Sequence, residues 1–141
     1  MKRLLGKLAL VLATVAYGLG ISPAFAADGT ASAKGKYQIV FQVSENNPQQ
    51  WQLALNNAMA FQRNVGKENT QIEIVANGRG LNMLKNQSQA ADRISQALDK
   101  GIDVVACGET MTVTKVSKVN LVAGVRVVPG GIIEIADRQR A

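Results

Sequence analysis

The chain reads as an α/β fold, a three-layer sandwich with a mostly parallel sheet of four to five strands and helices on both faces. Two observations predict this. Short β-branched apolar runs alternate with amphipathic stretches of helical length, the pattern of βαβ units. Those runs carry few polar residues, as strands buried on both sides should.

The first segment is read as a targeting peptide. Lys2, Arg3 and Lys7 give a positive start, Leu8 to Ile21 is an uncharged, mostly apolar run, and Ala24-Phe25-Ala26 is a small-x-small cleavage site. The run is short for a membrane span, which needs about 20 apolar residues. Residues 1–26 are thus expected to be a signal peptide and 27–35 a Gly/Ala/Ser/Thr-rich lead-in. Residues 36–141 form one domain. The expected location is the periplasm or the exterior, with no membrane attachment after cleavage.

The first strand is Tyr37 to Val43. Asn47 caps a helix that Pro48 opens and Gly66 stops, with Trp51, Ala54, Leu55, Ala58, Phe61 and Val65 on one apolar stripe. The second strand is Gln71 to Ala76. Asn77-Gly78-Arg79-Gly80 turns into a short helical segment, Leu81 to Leu84. Ser88 caps a helix to about Lys100, and Gly101 ends it. The third strand is Ile102 to Cys107. Glu109 to Lys118 reads as a helix weakened by threonines and valines. Val125 to Val128 is the fourth strand, Pro129-Gly130-Gly131 turns, and Ile132 to Arg140 is a final helix.

Charge and composition exclude several functions. Removing Lys2, Arg3 and Lys7 from 16 basic residues leaves 13 against 10 acidic, a net charge of +3. The basic residues are scattered and aromatics are few, so nucleic acid is not an expected partner. There is no histidine, which removes a Ser-His-Asp triad, a Cys-His pair and histidine-ligated metal. The single cysteine cannot build a zinc-thiolate cluster or an internal disulfide. No cofactor is expected.

Cys107 is the first candidate. It closes an apolar strand, and in an open parallel sheet reactive groups gather beyond the carboxyl ends of the strands. The amino end of the following helix favours a thiolate, Glu109 opposes it, and Arg79 on a neighbouring loop would restore it. A buried, inert thiol is the alternative. Gly78-Arg79-Gly80 is read either as a turn or as a backbone nest for a small anion. Gly108, Glu109 and Thr110 follow the cysteine, and Asn46 lies with Glu45 and Asn47 in the first strand-to-helix loop. Met83, Met111 and Trp51 are packing residues.

Four segments carry a resemblance: Phe41-Gln-Val-Ser-Glu-Asn-Asn-Pro, Trp51-Gln-Leu-Ala-Leu-Asn-Asn-Ala, Gly78-Arg-Gly-Leu-Asn-Met-Leu and Val105-Ala-Cys-Gly-Glu-Thr-Met. Together they resemble the DsrE/DsrF-like family in its exported branch, over about Lys36 to Gln139. The resemblance implies the α/β sandwich, a homotrimer or hexamer, and sulfur handling, with Cys107 holding sulfane sulfur as a persulfide between a donor and an acceptor thiol. It also implies a further short strand after the last helix. This sequence stops at Ala141, and the edge so left would be covered by a partner subunit. The expected function is a sulfur carrier, possible as a sulfurtransferase-like protein without net turnover. The competing expectations are a non-catalytic oligomeric binding module, and small-anion or nucleotide binding at Gly78 to Gly80.

Overall fold

A computed structural model describes residues 36–141. The expected signal peptide and lead-in, 1–26 and 27–35, lie outside the described residues. Four strands, β1 (Tyr37–Val43), β2 (Thr70–Ala76), β3 (Asp103–Cys107) and β4 (Arg126–Val128), form one sheet in the order β1-β2-β3-β4. All three pairings are parallel. The helices are α1 (Pro48–Val65), α2 (Ala91–Asp99), α3 (Gly108–Thr114) and α4 (Gly131–Arg140).

The strand order explains the layers. Each crossover steps the same way across the sheet, so right-handed connections place the connecting helices on one face. On that face Ile72, Ile74, Ala76, Val104 and Ala106 form one apolar cluster with Trp51 and Leu55 of α1 and Ile94 and Ala97 of α2. Alternate strand residues face the other way. Val75, Val105 and Val128 form a smaller cluster there, with Val40 and Ile135 against it. The third layer is α4, which turns back after β4 and packs on β1, β2 and β3.

Several boundaries differ from the sequence reading for local reasons. Asn47 Oδ1 accepts from the N–H groups of Gln49 (3.0 Å) and Gln50 (3.4 Å), as a cap should. Ser88 instead makes a turn ahead of its helix: its Oγ accepts from Ala90 N and its carbonyl from Ala91 N. The helix therefore starts at Ala91. The Glu109-to-Lys118 stretch stops as a helix at Thr114. Lys115 takes a left-handed conformation at φ 56°, and Val116 N–H returns to Met111 O. Thr112 and Thr114 donate their hydroxyls to the carbonyls four residues back, which weakens a short helix. A separate 3-10 turn covers Lys118–Asn120, and another covers Gly78–Leu84.

Charged residues lie among the valines of the α4 face. Arg126 Nη2 donates to Asp103 Oδ2 at 2.7 Å, Glu134 Oε1 at 3.0 Å and Glu73 Oε2 at 3.1 Å. Arg138 Nη2 meets Glu73 Oε2 at 2.9 Å, and its Nε donates to Glu134 Oε1 at 3.1 Å. The Glu73 side chain is only 6 % exposed, and its Oε1 has no hydrogen-bond partner among the described residues.

Burial, partly offset by Arg138 and Arg126, holds the Glu73 carboxyl above its ordinary value of 4.5. The folded state therefore binds this proton more tightly than the unfolded chain. Its stabilising contribution is lost as pH rises from about 4.5 through the higher folded value. Glu134 is drawn below 4.5, chiefly by its hydrogen bond from Arg126, so its contribution is lost at lower pH. We expect Glu73→Gln to gain unfolding free energy relative to wild type as pH rises through the first window, then level off. Urea titrations across that range check this, and parallel pH curves for the two proteins would refute it.

Candidate functional site

Cys107 ends β3 and occupies the cap position of α3, with φ −73° and ψ 115°. Its side chain takes the same side of the strand as Val105, toward α4. Gly131, the first residue of α4, donates its N–H to Cys107 Sγ at 3.2 Å. Two glycines permit this approach. A Cβ on Gly131 would stand 3.1 Å from Cys107 Cβ and 3.2 Å from Val75 Cγ1, and one on Gly108 would stand 2.8 Å from Val128 O. Glu109 N–H, donated to Pro129 O at 3.0 Å, ties the start of α3 to the turn before α4.

The thiol is 5 % exposed, so it lies at the expected edge of the sheet but under cover. Its surroundings are nonetheless rich in donors. Burial alone would push the thiol up; the polar groups of Thr110, Gly131 and Glu109 beside it outweigh that, and of these the Gly131 N–H stands in hydrogen-bond geometry to the sulfur. The net effect draws the thiol below its ordinary value of 9.0. A donated N–H is held more strongly by a thiolate than by a thiol.

Thr110 links the cysteine to the Gly78 segment. Its Oγ1 accepts the N–H of Gly78 at 3.0 Å. Thr110, Gly78, Arg79, Glu109 and Val113 line a cleft of about 490 Å³. Gly80 N–H bonds both Ser44 O and Asn77 O at 3.0 Å. The amides of Gly78 and Gly80 are therefore engaged within the protein rather than open to an anion. Arg79 pairs with Glu45 across the first loop, and the two side chains are 76 % and 59 % exposed. An exposed pair of this kind contributes about 0–1 kcal/mol, so the guanidinium can be released at little cost. Asn46 is exposed in the same loop.

Sequence reasoning assigned Gly131 to a turn and passed over the charged residues of the strands. The signals were present: a Gly-Gly pair beyond the fourth strand on the same sheet edge, a lone charge in each of three apolar strands, and Glu134 and Arg138 four apart. Only the pairing register brings these together.

A family model described as the DsrE/DsrF-like family matches residues 35–141. Among solved structures, a protein of unknown function, MTH1491, from Methanobacterium thermoautotrophicum is 28 % identical. The match has a TM-score of 0.71 and covers 74 % of this chain and 93 % of that one. The ychN protein from E. coli is 16 % identical with a TM-score of 0.61, covering 76 % and 93 %, and at that identity shows the shared fold. No curated protein matches the chain.

Two substitutions probe this geometry. A Cβ on Gly80 would fall 2.1 Å from Val43 O and 2.9 Å from Ser44 N, both backbone atoms. Gly80→Ala should destabilise the fold by at least about 2 kcal/mol by denaturant titration, as backbone must move; a loss under half of that would contradict the contact. Thr110→Val removes the hydroxyl that draws the thiol down, and with it the acceptor of Gly78 N–H, at nearly constant shape. We expect its thiol to titrate higher and to alkylate about tenfold more slowly near neutral pH, with Thr110→Ser restoring the rate. An unchanged rate would exclude the hydroxyl from the site.

Proposed function

Because this chain belongs to the DsrE/DsrF-like family, which is linked to sulfur relay, we propose that it carries sulfane sulfur on Cys107. The single observation that supports this reading is the Gly131 N–H donated to the sulfur of the chain's one cysteine, at the carboxyl end of a central strand. A Cys107 thiolate attacks the terminal sulfur of a small persulfide or polysulfide donor. A new S–S bond forms to Cys107, the donor's S–S bond breaks, and the donor thiolate leaves with the electron pair. An acceptor thiolate then attacks the outer sulfur, and Cys107 departs as thiolate. Neither step requires an outside oxidant or reductant, and the persulfide is a reversible cap on the thiol.

The same donors that hold the thiolate would hold the persulfide anion. With Cys107 only 5 % exposed, loading requires the Gly131 turn or the Thr110 side to give way. Release of Arg79 from Glu45 would supply a cation at the adjoining cleft for an anionic donor. The working environment is the periplasm or the exterior, after removal of residues 1–26, and the working form is a homo-oligomer of three or six chains.

The low exposure favours a second reading, a non-catalytic oligomeric module with an inert Cys107. The two separate cleanly. Incubation with glutathione persulfide should add the mass of one sulfur atom to wild type and none to Cys107→Ser, and a reducing thiol should remove it. Equal addition to both proteins, or none to wild type with labelling only after denaturation, would leave the module reading.

A further inference from the structure

The charged cluster and the thiol occupy the same face of the sheet, and α4 connects them. Glu134 lies in the first turn of α4, three residues after Gly131, and its N–H bonds Gly130 O at 3.0 Å. Its carboxylate accepts from Arg126 of β4 at 3.0 Å and from Arg138, one turn further along α4, at 3.1 Å. Arg126 also holds Asp103 of β3 and Glu73 of β2, while Arg138 holds Glu73. These charges tie the first and last turns of α4 to three strands.

The apolar grip of α4 is slight by comparison. Ile135 alone among its side chains packs on the second-face cluster, while Ile132 and Ile133 are 59 % and 60 % exposed. The local turn fixes Pro129 through Glu109 N–H, but it does not fix the direction of the helix that follows. With α4 in this direction the amide of Gly131 points at Cys107 Sγ.

We infer that Arg126 and Glu134 are positioning residues for Cys107: their ion pair sets the direction of α4 and thereby holds the Gly131 N–H on the sulfur. The inference rests on the reading of Cys107 as the working thiol, and it assigns to a remote charge pair both the covering of that thiol and part of its acidity. The other charges near the sulfur are Glu109 at the start of α3 and Arg79 with Glu45 across the cleft; none belongs to the clasp.

The test is the thiolate titration of the folded protein, followed by ultraviolet absorbance of the sulfur, together with the alkylation rate at a pH where the thiol is fully ionised. Glu134→Gln leaves Arg126 paired with Asp103 and Glu73. Arg126→Lys keeps the charge but cannot fork to three carboxylates. Either variant should show a thiolate fraction about threefold to tenfold smaller at a pH below the wild-type midpoint. Each should also alkylate several-fold faster when fully ionised, because the cover is looser. Ile135→Ala, which loosens packing without touching the clasp, should lower stability and leave the midpoint in place. The inference is overturned if Glu134→Gln folds and titrates as wild type, or if Ile135→Ala shifts the midpoint equally. Should Arg126→Lys not fold, Glu134→Gln decides alone. The titration uses no sulfur donor, so its failure and a failure of persulfide loading are separate results.

Discussion

Arg126 satisfies carboxylates from three different elements at once: Asp103 on β3, Glu73 on β2 and Glu134 on α4. The rest of the second face depends on this convergence. Glu73 is almost wholly removed from water, and a buried carboxylate without a partner is among the costlier defects a small domain can carry. Breaking such a pair commonly costs about 3–5 kcal/mol, although replacing the whole set with well-packed apolar residues is often neutral. The cluster therefore says little about net stability. What it specifies is direction. Its hydrogen-bonded distances are met only when β4 sits in register beside β3 and α4 runs back over β2.

That direction gives the sheet its third layer and the cysteine its cover. The crossovers place α1, α2 and α3 on one face, and the apolar cluster there is large. The opposite face has three buried valines and one helix. With so little apolar area, charge pairing assumes a positioning task that packing performs on the other side. Cys107 stands at the boundary of these two regimes. Its strand is anchored by apolar packing, its sulfur is addressed by polar groups, and the last of those groups arrives on the helix that the arginines hold.

The site combines two properties that seem opposed, low exposure and a depressed thiol. Burial in hydrocarbon would raise the thiol and make it inert. Here polar groups beside the sulfur, the Gly131 N–H among them, overturn the effect of burial. A thiol so held is covered while its ionised form is favoured, a combination compatible with the proposed role of Cys107. The Gly78 segment participates by holding Thr110, whose hydroxyl accepts the N–H of Gly78.

Local chemistry in the chain was enough to assign the four strands, the capped first helix and the parallel α/β class. Alternation of β-branched runs, Asn47 before Pro48 and the glycines at element ends all act within a few residues of themselves. It was also enough to place Cys107 at the carboxyl edge of the sheet. The ends of α2 and α3 were harder to read, because Ser88, Thr112 and Thr114 have hydroxyls that can cap a helix or compete with it. Packing in three dimensions alone decided what surrounds the sulfur. Glu73, Asp103 and Arg126 are far apart in the chain, and charge at a position does not reveal its partner. Only strand register, and the return of α4 across the second face, brings those charges together and lays Gly131 on the thiol.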